Sequence, residues 1–243
     1  LAAGFLLLKV LPCQQYGNIK LKSAVGFKGG GRQMQPGKFV TFEGVDGTGK
    51  TTQGRLLGQS LEADGIKVLI LREPGGTAIS EKIRDILLDA SQNKMTAETE
   101  VLLFEAARAQ IVREVIRPAL EQGNWVICDR FMDSTVAYQG YGRGLDLELI
   151  DKLNDFAVGE TKPDLTVLLQ LPPHRLAERL EKRHALEAAD RLDGESEDFR
   201  SDVDRGFRAL AAREPERFGC IETQGTKEET AGLVLELVRR VLL

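Results

Sequence analysis

An α/β fold with a parallel sheet covered by helices on both faces follows from three features of the sequence. Short runs that are apolar throughout alternate with segments of helical periodicity, and strands lacking polar alternation belong to sheets buried on both faces. The size fits, since 243 residues, 42% of them hydrophobic, support one domain with a sizeable core. Polar residues also gather at the carboxyl ends of the apolar runs, at Glu43, Arg72, Glu73, Asp129 and Arg130. Open α/β sheets bind their ligands there.

The elements run in order from Lys38. Phe39-Val40-Thr41-Phe42 is β-branched and aromatic and ends at Gly44, which reads as a strand. Thr52 to Ala63 reads as a helix, with Leu56, Leu57 and Leu61 at helical spacing and Gly65 as its C-cap signal. Val68-Leu69-Ile70-Leu71 reads as a second buried strand, halted by Pro74-Gly75-Gly76. Ile79 to Leu88 is expected to be helical, with Ile83, Ile86 and Leu87 on one face. Thr96 to Glu121 is a long helical stretch in two parts, broken near Pro118 and closed at Gly123. Trp125-Val126-Ile127-Cys128 is a third strand, Leu165 to Leu171 a fourth, and a short fifth lies near Cys220-Ile221. Helices over Pro173–His184, Glu197–Arg213 and Lys227–Leu242 complete a five-stranded sheet with its covering layers.

Composition removes several classes of function. Thirty-three basic against 37 acidic residues give a net charge of −4, which argues against a nucleic-acid partner. No apolar run reaches the ~20 residues a membrane span needs, so a cytoplasmic protein is expected. Cys13, Cys128 and Cys220 are scattered and odd in number, and neither a disulfide scaffold nor a CxxC metal site fits them. His174 and His184 are the two histidines, too few for a zinc centre or a histidine-based triad to be expected.

Residues 1–37 differ from the rest. Lys9, Lys20, Lys22, Lys28 and Arg32 carry positive charge, and no acid precedes Glu43. Gly29-Gly30-Gly31 and Pro36-Gly37 interrupt any element. The apolar stretch Leu1–Leu11 lacks the flanks of a signal peptide, and the segment is too poor in Ser and Arg for a transit peptide. The expectation is a disordered or non-native extension, translated from sequence upstream of a start at Met34. Residues 38–243 then form the working domain.

Gly44-Val45-Asp46-Gly47-Thr48-Gly49-Lys50-Thr51 satisfies G-x-x-x-x-G-K-[ST] between a strand and a helix, the context that makes this motif a phosphate-binding loop. Its glycines permit close approach of backbone N–H groups to phosphate oxygens, and the following helix N-terminus adds its dipole. Lys50 supplies charge to the β- and γ-phosphates and the Thr51 hydroxyl suits Mg²⁺. The fold is thus a P-loop NTPase and the ligand a nucleoside triphosphate. Thr161-Lys162-Pro163-Asp164 mimics a GTPase base-reading string, but it precedes a strand instead of following one, so a GTPase is not expected.

From Lys38 onward the sequence resembles the bacterial thymidylate kinases. The resemblance rests on Phe42–Thr52, Arg72-Glu73-Pro74-Gly75-Gly76-Thr77, Phe104-Glu105-Ala106-Ala107-Arg108, and Asp129-Arg130-Phe131-Met132-Asp133-Ser134 followed by Ala137-Tyr138-Gln139-Gly140-Tyr141. It implies transfer of the ATP γ-phosphoryl group to dTMP, with Mg²⁺, in a homodimer. The resemblance implies an ATP site of Gly44, Val45, Asp46, Gly47, Thr48, Gly49, Lys50, Thr51 and Thr52. On the acceptor side it implies Phe104 stacked on the thymine ring, Arg108 donating to a base carbonyl, and Ser134 and Gln139 on the polar rim. Tyr138 would fill the space of a ribose 2′-hydroxyl and Asp46 would accept from the 3′-hydroxyl. Arg72, Arg84 and Arg130 would hold the dTMP phosphate, while Thr51, Glu73 and Asp129 would organise the metal.

Some relatives place an arginine inside the P-loop, where this chain has Gly47. Others use basic residues of a lid. Arg179 and Arg183, on one helix face, and Arg191 beyond them match that pattern, so a helical lid is expected over about 174–195. The Ala-rich run between Arg183 and Arg191 departs from the usual compact turn.

Overall fold

The computed structural model describes residues 36–172, 175–179, 191–192, 194–223 and 225–243. The N-terminal extension up to residue 35, His174, His184, Arg183 and most of the expected lid lie outside the described residues.

Five parallel strands form one sheet in the order β2-β3-β1-β4-β5. They are β1 Phe39–Glu43, β2 Val68–Arg72, β3 Trp125–Asp129, β4 Leu165–Gln170 and β5 Phe218–Glu222. The helices are α1 Lys50–Ala63, α2 Ala78–Leu88, α3 Ala97–Ile111, α4 Arg117–Glu121, α5 Met132–Thr135, α6 Leu147–Val158, α7 Glu197–Arg213 and α8 Lys227–Leu242. Residues 175–179 are also helical. No described helix is long and apolar enough to cross a membrane.

Side-chain alternation along β1 distributes its residues between two cores. Val40 and Phe42 pack with Leu57 and Leu61 of α1 and with Val234, Leu237 and Val238 of α8. Phe39 faces the other way, onto Ile111, Ile116 and Phe131. That alternation sends Glu43 toward α5, where its carboxylate accepts from the Phe131 backbone N–H at 2.7 Å. Asp164 closes the opposite end of the sheet: its carboxylate accepts from the Phe39 N–H at 2.8 Å. The Thr161–Asp164 string therefore tethers strand starts, at the edge away from the P-loop.

Three expectations need correction. β2 is an edge strand, not a buried one, and Ile70 is 45% exposed; an apolar run carries no label for central or edge position. Ile86 points outward with Ile79, at 48% and 54% exposed, while Leu87 is fully buried. The chain is also continuously helical through Pro118: a π-helical segment, Val112–Ile116, precedes it and the proline follows in the first residues of α4, where the regular i→i−4 ladder is already interrupted. Helical structure also extends beyond the segments expected from periodicity. α5 continues into a π-helical stretch, Val136–Gly142, and α6 is capped by Asp146, which accepts from the Leu149 N–H. Ile150, Asn154, Ala157 and Val158 form the buried stripe of α6, a helical spacing available in the sequence.

Candidate active site

A cavity of about 500 Å³ opens at the carboxyl ends of β1, β2 and β3. Lys50, Thr51, Thr52, Asp46, Gly47 and Gly49 line it from the P-loop. Arg72, Glu73, Arg84, Phe104, Arg108, Asp129, Arg130, Ser134, Tyr138 and Gln139 line it from the other elements. Phe104 and Arg108 thus share one cleft with Lys50 and Asp129.

The loop's shape follows from its glycines. Gly44, Gly47 and Gly49 have φ of 134°, 82° and 96°. A β-carbon at Gly44 would fall 2.3 Å from the Leu169 carbonyl oxygen, so only glycine fits there. Val45 and Thr48 support the loop from beneath: the Thr48 hydroxyl donates to the Val45 carbonyl at 2.9 Å. The same carbonyl accepts from Lys50 Nζ at 3.0 Å. Burial and the nearby Arg130 charge lower the Lys50 ammonium to about 8, against the pull of Asp46, Asp129 and Glu43. Such a strained cation gains from an incoming polyphosphate. α1 begins at Gly49 with no side-chain cap and no acid in its first turn, leaving its N–H groups for an anion.

Thr51 donates to Asp129, joining a hydroxyl and a carboxylate at the P-loop. Glu73 lies deeper. It accepts from Arg108 Nε at 2.8 Å, and its other oxygen is buried with no hydrogen-bond partner among the described residues. Burial raises the Glu73 carboxyl to about 7, with the Arg108 charge opposing and Glu105 adding to the rise.

The acceptor wall is a set of mutually bonded side chains. Arg130, the one non-glycine residue with positive φ (65°) among the described residues, donates to the Gly44 carbonyl and Ser134 through Nη1. Its Nη2 donates to Asp46 and to the Tyr138 hydroxyl, both at 2.8 Å. Tyr138 in turn donates to Asp46 at 2.9 Å. The charges of Arg130 and Lys50 hold the Asp46 carboxyl well below the usual range, although burial opposes them. Arg108 is 2% exposed and donates to Glu73, Glu105, Thr135, Asn154 and the Phe131 carbonyl. Arg72 Nη1 and Arg84 Nη1 converge on the Pro74 carbonyl at 3.0 and 2.9 Å.

The lid arginines separate. Arg179 reaches the P-loop, donating to the Gly47 carbonyl at 3.3 Å. Arg191 is instead folded against α2 and α3, donating to the Leu87 carbonyl at 2.8 Å and to Glu100 at 2.6 Å, and it does not line the cavity. The Ala-rich run before Arg191 already sets this stretch apart in the sequence. Pro74, Leu88, Thr135 and Leu192 line the cavity in addition to the residues expected there; of these, Thr135 adjoins one of the family motifs and Pro74 lies inside another.

The chain's likeness to known proteins follows the same outline. The thymidylate kinase family model matches residues 42–233. A thymidylate kinase from Citrifermentans bemidjiense is 49% identical over 207 residues, 84% of this chain and 92% of that protein. One from Geobacter sp. strain M21 is 50% identical over the same shares. The crystal structure of the thymidylate kinase from Ehrlichia chaffeensis superposes with a TM-score of 0.67 at 36% identity, covering 84% of this chain and 99% of that one. With its P-loop facing a walled pocket across one cleft, and likeness at this level along nearly the whole described domain, the chain belongs to the thymidylate kinase family of nucleotide kinases.

Proposed function

We propose that this kinase transfers the γ-phosphoryl group of ATP to dTMP, giving dTDP and ADP, as a cytoplasmic step toward dTTP. The observation that carries the reading is the single cavity with Lys50 and Thr51 on one side and Phe104, Arg108 and Gln139 on the other.

On this reading the P-loop holds the triphosphate and Lys50 neutralises its β- and γ-oxygens. Phe104 stacks on the thymine, a contact typically worth about 1–3 kcal/mol. Arg108 and Gln139 meet the base edge, and Tyr138 occupies the 2′ side of the sugar. Asp46 meets the 3′-hydroxyl. Arg72, Arg84 and Arg130 take the acceptor phosphate, a role suited to the guanidinium fork. The acceptor oxygen is already anionic, so catalysis lies in aligning two phosphates and neutralising charge spread over the transferred group. Arg179, already at the Gly47 carbonyl, supplies that charge from the lid side. Arg191 is anchored on Glu100.

The residues present suit Mg²⁺. Thr51 and Asp129 are paired at the P-loop, and no group of three or more His, Cys, Asp or Glu side chains gathers among the described residues to hold a metal alone. That donor set matches a cation that keeps water and phosphate oxygens as ligands. Thr51 and Asp129 would hold it, with Glu73 behind them, and when bound it would offset phosphate charge.

A homodimer through α2, α3 and α6 fits the apolar residues left outside: Ile79, Ile86, Leu102, Leu149 and Phe156, the last 79% exposed. Isolated monomers rarely leave such side chains on adjoining helices uncovered.

A panel of nucleoside monophosphates with Mg·ATP, followed by ADP release, tests the assignment. The expected ranking puts dTMP first, with ribonucleotides rejected, and Lys50→Ala slower by about 10²–10³. A higher kcat/KM for a purine or cytosine monophosphate would overturn it.

A further inference from the structure

Glu100 of α3 lies outside the cavity lining, yet its carboxylate accepts four hydrogen bonds beside it. It is 1% exposed. Its Oε1 accepts from Gln139 Nε2 at 2.7 Å and from Arg143 Nε at 3.1 Å. Its Oε2 accepts from Arg143 Nη2 at 3.1 Å and from Arg191 Nη1 at 2.6 Å. Burial favours the neutral acid, but the hydrogen bonds and charges of Arg143, Gln139 and Arg191 outweigh it and hold the carboxyl below its ordinary range. Glu100 is therefore ionised at neutral pH and can only accept.

That one-sidedness fixes its neighbour. A side-chain amide has a donor end and an acceptor end, and a carboxylate tolerates only the donor. With its nitrogen committed to Glu100, Gln139 has its carbonyl oxygen left for the cavity it lines. The pairing edge of thymine offers an N3–H donor beside the O4 acceptor. Cytosine offers the reverse, an unprotonated N3 beside an amino group. An acceptor at Gln139 and a donor at Arg108 together accept the first edge and oppose the second.

We infer that Glu100 is a positioning residue for base selection, setting the Gln139 amide so that the pocket admits thymine and refuses cytosine. The inference rests on the reading that Gln139 meets the base edge. It also accounts for Arg143 and Arg191, which keep Glu100 ionised and so keep the amide from turning over.

The test is the ratio of kcat/KM for dTMP to that for dCMP, at saturating Mg·ATP. Sites built to hydrogen-bond a substrate reject the mismatched analogue by ~10⁴–10⁵. In Glu100→Gln, whose amide can donate as well as accept, that ratio is expected to fall by about 10-fold or more. The loss should appear in KM for dTMP with KM for ATP unchanged, and Glu100→Asp should restore part of the ratio. Arg143 keeps Glu195 as a countercharge at 2.6 Å; if Arg191, left without its carboxylate, unfolds the variant, Glu100→Gln/Arg191→Met keeps the charge balanced and is expected to show the same fall. A ratio within about twofold of wild type in a folded variant would overturn the inference. Gln139→Leu separates the two levels. If it leaves the ratio intact, Gln139 does not meet the base and the pocket reading fails with the inference. If it collapses the ratio while Glu100→Gln does not, the inference alone fails.

Discussion

The two sides of the cleft are built from different materials. On the donor side the chain offers backbone: three glycines at positive φ and a helix, α1, whose first turn has neither a side-chain cap nor an acid. α8 is capped differently. There Thr226 and Glu229 form a reciprocal capping box, which satisfies the free N–H groups internally. On the acceptor side the polar groups are spent on one another, in Arg130 with Asp46 and Tyr138, Arg108 with Glu73, and Glu100 with Gln139. A backbone receptor takes any polyphosphate of the right shape. A wall of interlocked side chains is rigid before the substrate arrives, and rigidity with a fixed donor and acceptor pattern is what discriminates one base from another. Substitutions on the first side should therefore strike the rate, and those on the second should strike affinity and selectivity.

Lys50→Met should produce the largest effect and set the two quantities against each other. Removing a preorganised charge donor typically costs about 10²–10³ in kcat, and steady-state ADP release would measure it. The same change should raise the stability of the ligand-free protein, by something on the order of 1–3 kcal/mol. Burial holds the ammonium near 8, so the native state carries an ill-accommodated charge that methionine does not have. A variant that is both inactive and less stable would show that Lys50 braces the loop through the Val45 carbonyl more than it serves the phosphates.

Phe104→Ala tests the other side, with a smaller effect. Loss of one stacked ring costs about 1–3 kcal/mol, so KM for dTMP should rise about 5- to 150-fold while KM for ATP stays put. Equal rises in both would mean that Phe104 supports the cleft as packing, not the base as a platform.

The contrast also explains what can be read in advance. The P-loop is legible because eight consecutive residues and their place between strand and helix state the chemistry completely. Residues of the acceptor wall come only through resemblance, since no local pattern links Arg108 to Glu73 or Asp46 to Tyr138, 35 and 92 positions apart. Glu43 is visible as a polar strand end and Glu105 within a motif, but Glu100, Asn154 and Thr135 work through partners that topology alone brings near. Strand β2 fails differently. Its apolar run is plain in the sequence, yet edge position is a property of the sheet, not of the strand. Arg191 is another such case, since its sequence spacing suits a lid and its side chain lies on Glu100.

The smallest effect lies where the two sides join. Glu43 ends β1 just before the P-loop, and its carboxylate accepts from the Phe131 and Ser134 backbone N–H groups and, at 2.6 Å, from the Ser134 hydroxyl. Burial and the neighbouring Asp133 push its carboxyl up to about 7, against Arg130 and these hydrogen bonds. Glu73 stands at about 7 as well. In the unfolded chain both titrate near 4.5, so between these values the native state holds more protons than the unfolded one. The stability they contribute is complete below pH 4.5 and is lost as pH rises through 7. The ligand-free protein should accordingly melt at lower temperature at pH 8 than at pH 5.5. Glu43→Gln stays neutral throughout and keeps an acceptor for the two N–H groups, so it should shrink that drop by about 2–4 °C. Calorimetry at the two pH values would decide it. An unchanged drop would mean that Glu43 keeps one protonation state across the range, and that the turn carrying Arg130 is held by the same hydrogen bonds at every pH the enzyme meets.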